Sequence, residues 1–229
     1  MHIEQLKEMV NQSKRTDFYT PSGLHVYFSK TVEEHVNVEK VIATVEEIIP
    51  LHLRSEVEAL IVGELPEFKD KGYNAVYEGG TIYVTHLQDD DADMVDDIIH
   101  EFAHSVEEPH GFMIYGDSKI KEEFLRKRMH LHSVLWASDF KVPKSFFTGI
   151  DYDEELDNFL YRTVGYDKLA RLCTGIFISA YAPTSLREYF ATGFTEFFLH
   201  PDHHEYLKKL CPELYKKISQ LYFEENLDI

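Results

Sequence analysis

Residues 96–108 read Asp-Asp-Ile-Ile-His-Glu-Phe-Ala-His-Ser-Val-Glu-Glu, with the pattern His-Glu-x-x-His beginning at His100. The stretch is typical of a helix, in which positions i and i+4 lie one above the other on the same face. His100 and His104 can therefore present two imidazoles to one metal ion, and Glu101 can reach a water on that ion. Two neutral nitrogens, a carboxylate base and an open coordination position are the groups that zinc hydrolysis requires.

The same pattern has a second explanation that involves no metal. The chain contains 13 His, so a pair of histidines four residues apart can arise by chance. A His-Glu-x-x-His pattern without a third ligand is only a weak indication of a metal site. A half-buried helix whose two histidines face water or carboxylates would show the same five residues. The remainder of the chain has to distinguish the two explanations.

The composition is typical of a globular protein without a membrane segment. The chain has 229 residues and is 44% hydrophobic, which is enough for one domain of good size or two small lobes. No apolar run approaches the roughly 20 residues that span a bilayer, and the polar N-terminus does not resemble a signal peptide. Cys173 and Cys211 lie far apart and are expected to be buried and reduced. We therefore predict a cytoplasmic protein.

The charge of the chain excludes one class of partner. Lys and Arg number 23 and Asp and Glu 41, for a formal net charge of −18. Such a surface repels phosphate backbones, so we expect no nucleic acid partner. Several of the acidic residues lie in residues 89–97, where their negative charge stabilises the N-terminus of the His-Glu-x-x-His helix. Calcium binding there is an alternative, but the spacing does not fit an EF-hand loop.

The first half of the chain is predicted to form a small mixed sheet backed by helices. Period-two alternation predicts strands, and three- and four-residue apolar spacing predicts helices. Two strands flank Glu78-Gly79-Gly80, which is the clearest hairpin in the chain. The predicted elements are a helix over 3–15, a strand over 24–29, a helix over 36–49, a strand over 57–62, a hairpin over 73–85 and a helix from about Asp91 to Glu108.

The second half is predicted to be mostly helical, which makes the whole chain α+β. Either Thr184 or Ser185 can cap a helix that contains Glu188 in its first turns. Gly165 is expected to interrupt the helical segment that it occupies. The predicted elements are a helix over 118–138, an interrupted helix over 156–178, a loop over 179–185, a helix to about His200 and a final helix over 203–223.

The hairpin at 73–85 has two interpretations. One of its strands is expected at the edge of the sheet, where an extended peptide could pair with it by strand addition. A plain structural hairpin explains the same pattern equally well.

A catalytic zinc usually takes three protein ligands and leaves a fourth position to water. The third ligand is expected from the helical half, because the half upstream of the motif forms the sheet. Glu188 is the best candidate, since it lies in a predicted helix dominated by aromatic residues. A carboxylate in such surroundings is desolvated and needs a partner, which a metal ion would supply. An ion pair with Arg187 is the alternative.

Two other residues compete with Glu188 for the ligand role. Glu196 lies eight residues further on, which is about 80° further around a helix of 3.6 residues per turn, so it does not share the same direction. His200 falls at the predicted end of the helix, followed closely by His203 and His204. Histidines in such a place are usually at the surface, and a zinc cluster built from them is a further alternative.

Two segments together resemble a known family. His-Glu-Phe-Ala-His at 100–104 and Tyr-Ala-Pro-Thr-Ser-Leu-Arg-Glu-Tyr-Phe-Ala at 181–191 are similar to the lethal-factor-like zinc metallopeptidases. These are gluzincin-type enzymes that include the catalytic domain of anthrax lethal factor and the Pro-Pro endopeptidases. The family places a Glu ligand in a Glu-aromatic-Phe-Ala helix and a Tyr seven residues before it. Glu188 and Tyr181 stand at that interval.

The resemblance implies one zincin-like metallopeptidase domain over 1–229, with a sheet-containing lobe over 1–110 and a helical lobe over 111–229. It implies that His100, His104 and Glu188 bind one Zn²⁺ per chain and that Glu101 is the general base. It also implies that Tyr181 stabilises the oxyanion or assists the leaving amine. A packing role is the alternative for Tyr181, because the chain contains 14 Tyr.

The chain departs from the family in two places. The segment between His104 and Glu188 is longer than in compact members, and its helical block around 116–175 is a candidate lid or partner surface. Thr192 stands four residues after Glu188, where the family often has an acidic residue that orients the ligands. The group that orients the ligands here is therefore left open.

Together these features predict a zinc-dependent endopeptidase that acts on a peptide or protein. Two other classes stay open: a catalytically silent zincin-fold binding or structural module, as in a viral particle or toxin assembly, and a metal-dependent amidase that acts on a small non-peptide substrate. The presence of Glu101 argues against the first, and an open groove beside the hairpin would argue against the second. The layout also resembles peptidases of phage-type genomes.

Overall fold

The chain combines strands and helices in its first part and is helical thereafter, so the fold is α+β. The computed structural model describes residues 17–33, 35–64 and 74–223. The chain divides into two compact units, Met1–Glu108 and Pro109–Ile229. The helix predicted over 3–15, and Tyr73 at the start of the predicted hairpin, lie outside the described residues.

The described residues of the first unit form a five-stranded mixed sheet in the order β1-β2-β3-β5-β4. The outer pairs β1/β2 and β4/β5 are antiparallel, and β3 is parallel to both β2 and β5. Helix α1, Val38–Ile48, connects the parallel strands β2 and β3. The strands are β1 Phe18–Tyr19, β2 His25–Phe28, β3 Ala59–Gly63, β4 Ala75–Glu78 and β5 Thr81–Thr85.

The sheet has one apolar face because its strands alternate with period two. Val26, Leu60 and Ile82 stand side by side in neighbouring strands and are 0% exposed. The predicted strands over 24–29 and 57–62 are confirmed by β2 and β3. β2 is one residue shorter at each end, and β3 begins two residues later and ends one residue later than predicted. β1 was not predicted, because a strand of two residues carries no periodicity to detect.

The predicted hairpin is confirmed by β4 and β5. Its turn is made by Gly79 and Gly80, whose φ angles of 54° and 80° lie in the left-handed region. Two consecutive residues with positive φ are typical of a type I′ turn, which suits the twist of a two-residue hairpin and favours glycine. β4 is the last strand of the described sheet, so one side of its backbone does not face β5.

Helix α2, Asp91–Tyr115, carries the His-Glu-x-x-His motif. The prediction of its start is confirmed, but the predicted end at Glu108 is wrong by seven residues. Pro109 lies inside the helix, where it cannot donate the amide hydrogen bond to the carbonyl of Ser105. The helix therefore tolerates one missing bond and continues, whereas the sequence rule places a helix end before a proline.

The second unit is helical in its described residues, as predicted. The π-helical segment Phe159–Gly165 interrupts the segment predicted over 156–178, and Gly165 has a φ of 84°. The prediction of a single final helix over 203–223 is wrong. One helix ends at Leu210, Cys211 is not helical, and a new helix begins at Pro212. The α-helices of this unit are α3 Lys119–Ala137, α4 Glu154–Asn158, α5 Tyr166–Cys173, α6 Leu186–Leu199, α7 His204–Leu210 and α8 Pro212–Phe223. No helix in the described part of the chain is long and apolar enough to cross a bilayer.

The core of the second unit contains a buried arginine whose hydrogen bonds all go to backbone carbonyls. Arg128 is 1% exposed. It donates to the carbonyl oxygens of Gly149 at 2.5 Å, Pro183 at 2.9 Å and Thr184 at 3.3 Å. Buried polar backbone groups need such partners. Arg128 thus fixes the two loops that carry Gly149 and Thr184, the second of which leads into α6.

Candidate metal centre

Helix α2 brings together three of the predicted site residues. The ligand atoms of His100, Glu101 and His104 lie within 4.8 Å of one another. The two imidazole rings are 5.2 Å apart between centroids and nearly perpendicular, at 79°. Among the residues that the structure describes, this is the only group of three or more His, Cys, Asp and Glu side chains with such geometry.

The two histidines lie on a half-buried face of the helix. Phe102 and Ala103 are 1% and 0% exposed and belong to the core. His100 and His104, four residues apart, lie on another face of this helical turn. Glu101 lies between that face and the core face and is 7% exposed. A carboxylate with so little contact with water needs polar partners.

Glu101 has such a partner in the sheet. Its Oε2 accepts a hydrogen bond from the backbone N–H of Tyr77 in β4, with a donor–acceptor distance of 2.6 Å. Hydrogen bonds to an ionised acceptor are shorter and stronger than neutral ones. The carboxylate is therefore tied to the last strand of the described sheet.

Glu107 orients one of the histidines. The Nδ1 atom of His104 lies 2.9 Å from Oε2 of Glu107, and the two side chains are 12% and 7% exposed. When Nδ1 carries the ring proton and donates it to this carboxylate, Nε2 keeps the lone pair that a metal can accept. Glu107 was missed from the sequence, although a Glu three residues after the second His is a readable signal. Thr192, at the position where the family often has an acidic residue, lies half-buried on α6.

We expect Glu107→Gln to weaken zinc binding by about 10–100-fold, because partners of this kind set the orientation and basicity of the ligand. Zinc affinity measured by competition with a chromogenic chelator would test this. Glu39→Gln, on an exposed position of α1, is the matched control and should leave affinity unchanged. Equal affinity of both variants would show that Glu107 has no influence on the ligand.

Asp97 lies about one helical turn before His100, and its carboxyl has a raised pKa. Burial raises the pKa of the Asp97 carboxyl to about 7. The negative charges of Asp93 and Asp96 raise this pKa further, whereas a 3.0 Å hydrogen bond from Gln88 Nε2 and the nearby His100 lower it. The Asp97 carboxyl of the metal-free protein is thus largely neutral below pH 7.

This shift predicts how the stability of the metal-free protein changes with pH. Because the pKa of Asp97 is higher in the folded chain than the ordinary aspartate value of 3.8, the folded state binds the proton more tightly. The unfolding free energy therefore falls as pH rises from about 4 to about 7. Asp97→Asn removes this titration, so its unfolding free energy should rise by a few kcal/mol relative to that of wild type between pH 5 and pH 8. Urea unfolding with a chelator present measures this difference. Parallel pH profiles of the two proteins would contradict the prediction.

The predicted third ligand and the predicted tyrosine belong to the second unit. Ser185 caps α6, and its Oγ accepts the backbone N–H of Glu188 at 3.0 Å, which confirms the predicted cap. Glu188 is half-buried in the first turn of α6, where a capping-box glutamate also stands. Tyr181 is half-buried in the loop before it, and its carbonyl accepts the N–H of Thr184 at 3.0 Å. The roles of Glu188 and Tyr181 at the metal stay predictions.

The competing ligand candidates have other partners. Oε1 of Glu196 lies 2.8 Å from Nδ1 of His203. His204 stacks on the ring of Phe197, with centroids 4.2 Å apart, and its Nε2 lies 2.7 Å from the carbonyl oxygen of that residue. His200 is exposed. Among the described residues, these side chains do not show the metal-ligand geometry of His100, Glu101 and His104.

The donor set on α2 fits zinc. Imidazole nitrogens are good ligands for zinc. Catalytic zinc sites often have either three histidines or two histidines and one carboxylate. The carboxylate that holds His104 is the type of supporting group that such ligands usually have. Comparisons with models of protein families, with curated proteins and with solved structures find no match for this chain.

Proposed function

We propose that this chain is a zinc-dependent endopeptidase, with His100, His104 and Glu188 as the ligands of one zinc ion. The observation that carries the proposal is the convergence of His100, Glu101 and His104 within 4.8 Å. The support of two of these side chains by Glu107 and by Tyr77 adds to it. A chance pair of surface histidines would not explain why Glu101 is buried between them.

The side chains have distinct parts in the proposed reaction. Bound zinc would lower the pKa of a water molecule toward about 7 and polarise the scissile carbonyl. Glu101 accepts the proton of the attacking water and passes it to the leaving nitrogen. Tyr181 donates a hydrogen bond to the developing oxyanion, a role worth a few kcal/mol in related chemistry. Glu107 keeps His104 in the tautomer that binds metal.

The substrate is proposed to be a peptide that pairs with β4 in the 73–85 hairpin. The N–H of Thr85 donates to the carbonyl of Asn74 at 2.7 Å, so the alternate residues Ala75 and Tyr77 turn their backbone groups away from β5. Glu101 accepts the N–H of Tyr77, so an added strand would use the N–H of Ala75 and the carbonyls of both residues. The hydrogen bond between Tyr77 and Glu101 connects this edge with the catalytic carboxylate.

The chemistry of the chain supports a cytoplasmic location without nucleic acid partners as part of this proposal. Both cysteines are free and buried, as is usual for proteins of a reducing compartment. The net charge of −18 disfavours nucleic acid.

Metal analysis combined with a peptide library tests the proposed function. We expect about one zinc per chain and cleavage within peptides, abolished by a chelator and restored by zinc. A protein that takes up no zinc would overturn the metal site. Zinc binding without turnover would identify a silent binding module, and turnover confined to small amides would identify an amidase.

Two glutamates of α6 distinguish the proposed third ligand from its competitor. We expect Glu188→Gln to lower zinc affinity by at least about 10-fold, because an amide is a poorer ligand than a carboxylate. Glutamine still satisfies a capping-box position, so the helix should not lose its N-terminus. Glu196→Gln changes the same helix and should leave zinc affinity unaltered. The opposite order of effects would transfer the ligand role to Glu196.

A further inference from the structure

Tyr77 connects the last strand of the described sheet with the helix that bears the metal motif. Its backbone N–H lies 2.6 Å from Oε2 of Glu101. Both residues belong to the first unit, and they come from elements that are separate in the sequence. The catalytic carboxylate is thus held by a main-chain group of the sheet.

The pairing of the hairpin explains why this amide is available. In an antiparallel pair, hydrogen-bonded and non-hydrogen-bonded residue pairs alternate. Asn74 and Thr85 form a hydrogen-bonded pair, so Tyr77, which pairs with Ile82, is in the non-hydrogen-bonded class. Its N–H points away from β5 and takes Glu101 as acceptor without any loss to the sheet.

The side chain of Tyr77 is engaged within its own hairpin. Its hydroxyl accepts the N–H of Gly80 at 3.2 Å. Burial is the main cause that raises the pKa of this hydroxyl, and the negative charge of Glu108 raises it further. The side chain thus supports the turn, whereas the main-chain N–H makes the contact with Glu101.

We propose that Tyr77 is a positioning residue for the reaction described above: its backbone amide fixes the carboxylate of Glu101 relative to the sheet. The role rests on the proposed peptidase function. A glutamate side chain has several rotatable bonds, and a general base has to stand within hydrogen-bond reach of the proton it abstracts. The N–H of Tyr77 uses one of about four lone-pair positions on the carboxylate, so proton transfer does not require the bond to break.

The sharpest test removes the amide hydrogen alone. In the full-length chain, the peptide bond before Tyr77 is replaced by an ester with the α-hydroxy analogue of tyrosine. We expect kcat to fall by about 10–100-fold, because displacement of a catalytic group by about 1 Å has effects of this size. KM and zinc affinity should stay within about twofold, because neither ligands nor the remaining edge groups change.

An ester before Tyr19, in the opposite edge strand β1, is the matched control. Thr20 donates to the carbonyl of Leu24, so Tyr19, which pairs with His25, is also in the non-hydrogen-bonded class and its N–H points away from β2. Tyr19 has no part in the proposed site, so we expect kcat and KM to stay at the wild-type values. Equal kcat losses in the two ester proteins would overturn the positioning role. Tyr77→Phe, which keeps the N–H, should lose less kcat than the ester at Tyr77.

Amide hydrogen exchange separates this inference from the proposed function. Exchange of the Tyr77 N–H should become at least about 10-fold faster in Glu101→Ala, while the N–H of Tyr83, inside the ladder, keeps its rate. Unchanged exchange of Tyr77 would overturn the inference even if the protein cleaves peptides. Absence of cleavage by the wild-type protein would overturn the proposed function, and faster exchange would then mark a purely structural bond.

Discussion

Replacing Glu101 with glutamine should lower kcat by about 10²–10⁴-fold, the usual contribution of a general base. Glutamine has nearly the same shape, and its amide oxygen can still accept the N–H of Tyr77, so the change removes the base and leaves the buried position filled. Glu101 is 7% exposed, which makes an isosteric replacement preferable to alanine. Peptide cleavage rates and the zinc content of the same preparations measure the effect.

The response to added zinc distinguishes loss of the base from loss of the metal. Glu101→Gln should contain as much zinc as wild type, and excess zinc should not restore it. Glu107→Gln, whose carboxylate contacts His104 at 2.9 Å, should instead regain activity when zinc is in excess. Near-normal turnover in Glu101→Gln would place the base elsewhere.

Replacing Arg128 with methionine should lower the unfolding free energy by about 3 kcal/mol. Methionine fills much of the same volume but leaves three carbonyl oxygens without donors, each at a cost of about 1–3 kcal/mol. Methionine carries no charge, so the variant does not incur the desolvation free energy of a buried cation, and this offsets part of the loss. Burial lowers the pKa of Arg128 to about 10, so the side chain is still charged at neutral pH and the offset applies.

Chemical denaturation of matched variants would measure the Arg128 effect. Arg126 lies on the same helix but is exposed, and Arg126→Met should change stability by no more than about 0.5 kcal/mol. Arg128→Lys keeps the charge but lacks the planar fork that reaches three carbonyls, so it should resemble Arg128→Met more than wild type. Equal denaturation midpoints for the two methionine variants would contradict the anchoring role.

The parts of the site that were predictable from the sequence depend on local geometry. His100 and His104 are one helical turn apart, and any helix through them places both on one face. Ser185 was predictable as a cap for the same reason, because capping involves a residue and the amide three positions on. Glu107 obeys an equally local rule, three residues after His104, and could have been found.

The contacts that were missed join residues far apart in the chain. The bond between Tyr77 and Glu101 depends on how the hairpin packs beside α2, which no period or spacing encodes. The helix predictions that failed, at Pro109 and Pro212, both involve proline. A proline weakens a helix by a known amount but does not say whether tertiary packing compensates.

The edge strand β4 has a further consequence, for association between copies of the protein. The last strand of a sheet invites pairing with other chains, and proteins protect such edges with charge and by covering them. Glu101 occupies one of the amide groups that β4 turns away from β5, and Glu78 adds a charge at its end. The carboxylate proposed for catalysis thus also limits pairing of this strand with other copies of the protein. We expect variants that lack this carboxylate to aggregate more readily at high concentration.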